Sequence, residues 1–299
     1  MDCRVALCQM RPKLGVLQDN LEAHHQWLDR CLEQDSQLAV FPELSVTGYF
    51  LRDLTQEVAM TLEDPRVTEL VARSKDCSIV FGLVEQSRDH RFYNTAVFAE
   101  DGQIRGVHRK VHLPDYGIFE EGRYFAAGEH FHAIDSKHGR FGILICEDAW
   151  HLSAAWLHFL QGVDGLIVPV ASPARGIDTA EPELSSHQAW RTLASAQSLF
   201  FQTWVMRCNR VGFEDGTMFW GGSSVLNPFG FSVAEADAEE EELLVHRIDS
   251  ESLKRARMQT PLLRDARPEL VRLHLARLLD DPDALALERP DPTAPAEDS

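Results

Sequence analysis

No stretch of about twenty apolar residues occurs in this sequence, so no segment is expected to cross a membrane as a helix. The opening MDCRVALCQM lacks both a basic n-region and a long apolar h-region, and no signal peptide is expected. Basic residues are scarce: 29 Lys and Arg face 47 Asp and Glu, a net charge of −18. Phosphate backbones and anionic lipid surfaces select basic proteins, which excludes a generic nucleic-acid or membrane-surface binder. The six cysteines, at 3, 8, 31, 77, 146 and 208, include no CxxC and no metal-type pairing. A disulfide scaffold packs dense cysteines into a short secreted chain, and 299 residues with this spacing do not fit one. No internal repeat and no Gly/Ser linker divides the chain. The expectation is a reduced, cytoplasmic, globular protein.

What is present is enough chain to bury roughly three quarters of its unfolded surface. The acidity is local. Residues 235–242 and residues 280–299 each net −6, leaving the rest close to balanced. Short apolar runs alternate with amphipathic stretches. RVALCQM, LAVF and SIVFGLVEQ read as strands, and residues 19–34 place Leu21, Leu28, Cys31 and Leu32 on one helical face. NTAVFAEDGQIRGVHRK gives strand, Asp-Gly turn and strand. RFGILIC, GLIVPV, TWVMRCNRV, SSVLNP and LLVHRID read as further strands. Helices are predicted over 149–161, 185–199 and 267–279. Mixed strands with helices outside them, in one continuous domain, give the α/β class. The final ERPDPTAPAEDS, rich in Pro and acid, is read as a disordered tail.

Cys146 ends the apolar run FGILI and precedes EDAW, which reads as a helix start. A cysteine there has its thiolate favoured by the helix dipole and by free backbone N–H groups, which can also hold an oxyanion. Glu147 and Asp148 oppose that, so an activating base or cation must come from elsewhere. The plain alternative is a small buried hydrophobe, which most cysteines are. Two other segments bear on the choice. Glu43 follows a buried strand and a proline, where a lone carboxylate is costly without a partner. Lys110 ends a strand ahead of a Pro-containing loop with Glu120, Glu121 and Arg123. A Cys, Glu and Lys at three strand ends make chemical sense as a set. The carboxylate takes the thiol proton, the thiolate attacks a carbonyl and the ammonium stabilises the oxyanion.

The segments FPELSVTGYF, HRKVHLPDYGIFEEGRYFAAG and RFGILICEDAW resemble the three signature blocks of the nitrilase (carbon–nitrogen hydrolase) superfamily. The likeness runs from about Val5 to about Pro268. It implies a four-layer α-β-β-α sandwich, with the hydrolase domain over 1–270 and a C-terminal helix and acidic tail over 271–299. It implies a homodimer built through helices after the nucleophile and toward the C-terminus. Glu43 is similar to the family's general base, Lys110 to its oxyanion-stabilising lysine and Cys146 to its nucleophile. Glu121 sits where the second glutamate lies. Tyr49, Tyr116 and Phe119 match positions walling the substrate pocket, and the Glu147 backbone N–H would complete the oxyanion hole. Ser172 matches a serine of the loop that follows a central strand. Arg175, close behind it, could read a substrate carboxylate.

Within the superfamily, PELSVTGYFLRDL and HLPDYGIFEEGRYFAAG, with ICEDAW, most resemble the glutaminase domain of glutamine-dependent NAD synthetases. NRVGFEDGTMFWGGSSVLNPFG instead resembles the ureidopropionase and carbamoylputrescine amidase branch. The SGGxDS segment of the synthetase domain is absent: WGGSSVLNP lacks its Asp, so this chain is not expected to make NAD by itself. Trp220 stands where many relatives have Tyr. The expected reaction is hydrolysis of a linear amide, releasing ammonia from glutamine or another ω-amido acid, with no metal and no organic cofactor. The alternatives are a carbamoyl amine or ureido acid as substrate, or a glutaminase subunit passing ammonia to a separate synthetase. In that last case the run 235–242 could dock the partner, against the plainer reading of a solvated loop.

Other residues read as structural. His108 and His112 flank Lys110 on a strand and loop, the wrong geometry for a helical metal pair. His130, His132 and His138 read as solvated side chains of a surface hairpin. Gly221 and Gly222 lack the strand–turn–helix setting of a dinucleotide fingerprint. The tryptophans at 150, 156, 190, 204 and 220 read as core or interface.

Overall fold

Two six-stranded sheets carry the chain, and the computed structural model describes residues 1–175 and 185–281. The strands are β1 (Asp2–Gln9), β2 (Leu38–Val40), β3 (Ser78–Gln86), β4 (Phe92–Glu100), β5 (Gln103–Arg109), β6 (Ile134–Ser136), β7 (Gly139–Ile143), β8 (Gly165–Val170), β9 (Trp204–Asn209), β10 (Val211–Glu214), β11 (Thr217–Trp220), β12 (Ser224–Leu226), β13 (Ser232–Glu235) and β14 (Glu242–Asp249). The helices are α1 (Leu17–Glu33), α2 (Thr55–Val58), α3 (Pro65–Ala72), α4 (Glu121–Tyr124), α5 (Leu152–Leu160), α6 (Ser185–Phe201), α7 (Ser250–Gln259) and α8 (Pro268–Asp280). One sheet has the order β14-β1-β2-β3-β4-β5 and the other β13-β12-β9-β8-β7-β6, while β10 and β11 form a separate hairpin. Each sheet has a parallel centre, β1-β2-β3 and β7-β8-β9, with antiparallel flanks.

The two sheets pack face to face. Phe98 of β4 stacks on Phe141 of β7 at 6.0 Å, and the Cys208 thiol of β9 donates to the Val40 carbonyl of β2 at 3.1 Å. On the outer face of the first sheet, α1 and α3 bury Leu21, Trp27, Leu28, Cys31, Val67 and Leu70 against Ala6, Cys8, Ala39 and Phe81. On the second, Phe159 of α5 meets Phe201 of α6 at 5.6 Å. The result is the α-β-β-α sandwich that the resemblance implied, within the α/β class read from the alternation of buried runs and amphipathic stretches. Local signals start and stop the elements. Asp64 accepts from the Arg66 N–H ahead of Pro65 to cap α3, and Asp101 and Gly102, both at positive φ, make the β4–β5 turn.

Several details differ from the sequence reading. Leu32 is 36% exposed, and Asn20 and His24 are buried on α1 in its stead. RFGILIC leaves the ladder at Ile143, and a 3₁₀ turn over Cys146–Trp150 precedes α5, which begins only at Leu152. His138 is buried rather than solvated, because the tight β6–β7 turn folds it inward, and burial pulls its imidazole below the ordinary range. Residues 1–263 form one compact unit, and a second begins at Arg264. In that second unit α8 occupies the stretch read as the C-terminal helix. The tail ERPDPTAPAEDS lies outside the described residues. Among the described residues no helix is long and apolar enough to cross a membrane.

Candidate active site

The parallel strands of both sheets end on one side, and the chemistry-bearing residues follow those ends, where open α/β sheets gather ligands. Glu43 comes three residues after β2, Lys110 directly after β5, Cys146 three residues after β7 and Ser172 two residues after β8. Leu44 and Cys146 both hold positive φ, 48° and 44°, in a region non-glycine residues rarely adopt. The backbone turns sharply at both places and presents the adjacent side chain off the end of its strand.

Lys110 is the hub. Its Nζ is fully buried and donates to Glu43 Oε1 and to Glu121 Oε1, both at 2.7 Å. An ammonium has three donors, so one remains after these two bonds. Asn94 Nδ2 donates to Glu43 Oε1 at 2.8 Å, and the Ala171 N–H donates to Glu43 Oε2 at 2.9 Å. Tyr49 donates its hydroxyl to Glu121 Oε1 at 2.5 Å, and Glu121 Oε2 is buried without a partner among the described residues. Burial pushes the Glu121 carboxyl up to about 7, with Lys110 pulling against it. For Lys110, burial favours the neutral amine, but Glu121 and Glu43 outweigh it and hold the ammonium well above its usual range.

Cys146 is buried, and desolvation, reinforced by Glu43 and Glu121, holds its thiol well above the ordinary value despite Lys110 and the Ala171 N–H. That departs from the sequence expectation of a dipole-favoured thiolate. The turn that follows is five residues of 3₁₀ helix, too short for a developed dipole, and two carboxylates stand nearby. The resting thiol is neutral, so attack requires a base to take its proton.

A cavity of about 340 Å³ opens over Cys146, lined among others by Tyr116, Phe119, Glu147, Ser172, Arg175 and Trp190. Tyr116 donates to Glu147 Oε2 at 2.9 Å. The Arg175 guanidinium lies 4.4 Å from the Phe119 ring centre, with Nη2 buried and without a hydrogen-bond partner among the described residues. Tyr49 and Glu121 do not line this cavity. They line a neighbouring one of about 400 Å³ on the far side of Phe119, so Tyr49 stands behind the carboxylate. Eight of the ten candidate side chains therefore line one of these two cavities, and Lys110, which lines neither, bonds Glu121 from beneath the second. Glu43 is held beneath by Lys110 and Asn94.

Four residues of the assembly were not singled out from sequence. Asp148, fully buried, accepts from the Val111 and His112 N–H groups at 3.0 and 2.9 Å, from Ile145 N–H at 3.2 Å and from His108 Nε2 at 2.8 Å. It thus ties the segment after Lys110 to the turn that carries Cys146. Asn94 holds Glu43 as described. Arg210 and Glu214 form a buried pair, and Glu214 Oε1 accepts from the Tyr49 and Phe50 N–H groups at 2.9 and 2.7 Å. The signal for Asp148 was its place two residues past a cysteine, where an acid caps the turn; the other three leave no local signal. His108 is accounted for by Asp148, and His112 stacks on His151 at 3.6 Å; among the described residues no cluster of three metal-ligating side chains exists. The run 235–242 is a mostly exposed loop, tied down where Gln9 donates to the Asp237 and Glu240 carbonyls at 2.5 and 2.8 Å.

Known proteins resemble this chain in sequence and in fold. The carbon-nitrogen hydrolase family model matches residues 4–258. The chain is 30% identical over 263 residues to a glutamine-dependent NAD(+) synthetase of Thermotoga maritima, covering 86% of this chain but only 44% of that protein. It therefore spans less than half the length of that relative. It is 28% identical over 222 residues to the N-carbamoylputrescine amidase of Arabidopsis thaliana, covering 71% of this chain and 73% of the relative. Its fold matches the crystal structure of a carbon-nitrogen hydrolase from Helicobacter pylori with a TM-score of 0.79 at 27% identity, over 90% and 96% of the two chains. The chain belongs to the carbon–nitrogen hydrolase family.

Proposed function

We propose that the protein hydrolyses linear amides through a thioester on Cys146, and that its substrates are glutamine or another ω-amido acid. The observation that carries this reading is the buried Lys110 ammonium bonded to both Glu43 and Glu121 beside a neutral thiol. Glu43 takes the Cys146 proton as sulfur attacks the amide carbon. The third Lys110 donor and the Glu147 backbone N–H receive the developing oxyanion. Collapse of the tetrahedral adduct breaks the C–N bond, and Glu43 returns the proton to the departing ammonia. Water, deprotonated by Glu43, then attacks the thioester, releasing the acid and restoring the thiol. These steps use only groups of this chain and call for no metal or organic cofactor.

The ω-amido acid assignment rests on Arg175, whose Nη2 has no hydrogen-bond partner among the described residues and which, with the neighbouring Ser172, borders the same cavity as Cys146. A carboxylate there would satisfy a buried donor that otherwise costs stability. The likeness to an N-carbamoylputrescine amidase supports carbamoyl amines or ureido acids as the second substrate class. The likeness to NAD synthetases supports a separate synthetase as recipient of the ammonia. A homodimer is proposed through the exposed Leu152 and Leu157 of α5 and Leu199 and Phe200 of α6; light scattering at twice 33.8 kDa is the expected result.

The test is ammonia release from glutamine, glutaramate, N-carbamoylputrescine, a ureido acid and a short aliphatic amide, each with and without a synthetase. Preference for glutamine or glutaramate supports the reading. A dominant carbamoyl-amine signal moves the protein to the other substrate class, and strong stimulation by a synthetase favours the subunit role.

A further inference from the structure

Ser172 lies between two indoles. Trp190 of α6 donates its Nε1–H to Ser172 Oγ at 3.0 Å, and Trp220, the last residue of β11, donates to the same oxygen at 3.2 Å. A serine hydroxyl has two lone pairs and one hydrogen. With both lone pairs engaged, donation is the only bonding left to it, and among the described residues no acceptor takes that hydrogen. Ser172 borders the cavity of Cys146 and Arg175.

The two rings are fixed. Trp190 is 3% and Trp220 1% exposed. The fully buried Arg207 guanidinium stands 4.9 Å from the Trp220 ring centre and 5.8 Å from that of Trp190, within cation–π range. Arg207 is in turn held by the Gly222 carbonyl at 2.5 Å and Ser224 Oγ at 3.2 Å, and no carboxylate among the described residues forms an ion pair with it. Its charge therefore leans on the indole faces. Withdrawal of π density toward the cation makes each N–H a better donor, which strengthens both bonds to Ser172.

We propose that Trp190 and Trp220 lock Ser172 as a donor-only hydroxyl, so that this end of the pocket accepts substrates presenting a hydrogen-bond acceptor and rejects those presenting an ammonium. The inference rests on the amide-hydrolase reading and deepens it. A carboxylate meets the Ser172 hydrogen and Arg175 Nη2 together, whereas an alkylammonium at the same place faces two donors and a like charge. The tryptophans are positioning residues, and they disfavour cationic carbamoyl amines relative to anionic ω-amido acids.

Glutaramate and 5-aminovaleramide, matched in length and opposite in terminal charge, test this by steady-state ammonia release. Trp220→Phe keeps the ring and removes one donor, which frees a lone pair and lets the hydroxyl turn. The ratio of kcat/KM for glutaramate over 5-aminovaleramide is expected to fall about tenfold, the worth of one hydrogen bond turned the wrong way. The loss falls in KM for glutaramate. Ser172→Ala gives a similar fall, and the double variant is no worse than Ser172→Ala, since the indole acts only through the hydroxyl. Trp190→Phe reads the same quantity should Trp220→Phe fail to fold. An unmoved ratio, a kcat loss shared equally by both amides, or effects that multiply in the double variant would overturn the inference alone. A wild-type chain that hydrolyses neither amide overturns the parent reading and this inference with it.

Discussion

Asp148→Asn isolates the brace between the lysine segment and the cysteine turn. Oδ1 of Asp148 accepts from Val111 and His112, and Oδ2 accepts from Ile145 and His108. Asparagine has one acceptor oxygen, so two of these four donors must face an NH₂ group. Turning the amide nitrogen toward His108 is the cheaper arrangement, because the imidazole can change tautomer and accept. The Ile145 N–H is then left buried and unpaired, at about 1–3 kcal/mol. The Val111 and His112 bonds drop from charge-assisted to neutral, about 1 kcal/mol each. The sum is about 3–5 kcal/mol, in the range for breaking a buried pair. Urea unfolding should show a lower midpoint at unchanged slope. Because the Ile145 bond sets the turn at Cys146, kcat/KM should fall by at least about tenfold, the usual price of an ångström-scale misplacement being larger still. A loss below about 1 kcal/mol with full activity would refute the brace.

Arg175→Ala should raise KM for glutaramate by the equivalent of about 2–4 kcal/mol, as for a broken charge-assisted contact, and should affect short aliphatic amides far less; an equal loss on both would make Arg175 structural. Gly82→Ala would put a Cβ 2.5 Å from the Leu44 nitrogen and 3.0 Å from the Pro42 carbonyl, both backbone atoms beside Glu43. It should cost about 1–3 kcal/mol and lower kcat by shifting Glu43, read by thermal unfolding and turnover together. Burial holds His24 down at about 4, against an ordinary 6.5. A depressed base contributes its full stability above 6.5 and loses it as pH falls through 4, so about 3 kcal/mol goes over that window. His24→Gln should therefore lose less stability than the wild type between pH 7 and pH 4, measured by urea midpoints.

Much of this was readable from the chain because the relevant signals are local. The apolar runs around Val40, Ile143 and Val168 declare buried strands, and Glu43, placed just past the first of them, is a residue that a core does not hold without a partner. Amphipathic periodicity located α1, α6 and α8 within about two residues. What escaped depends on contacts distant in sequence. His24 replaces Leu32 on the buried face of α1 because it reaches Ser45 Oγ at 2.9 Å, a partner 21 residues away. Glu214 holds the Tyr49 amide across 165 residues, and Asn94 reaches Glu43 across 51. No pattern within one segment announces such pairs. The dipole that the sequence offers the Cys146 thiolate is overridden for the same reason, by two carboxylates distant in sequence and by the dry interior.

The central claim is covalent catalysis at Cys146, and rapid-quench mass spectrometry of the protein mixed with glutaramate tests it most directly. The account predicts an acyl adduct on the Cys146 peptide, with the mass of the substrate less ammonia, forming in step with a burst of ammonia. It predicts neither adduct nor turnover in Cys146→Ala. Steady ammonia release from Cys146→Ala, or wild-type turnover with Cys146 unmodified throughout, would contradict it.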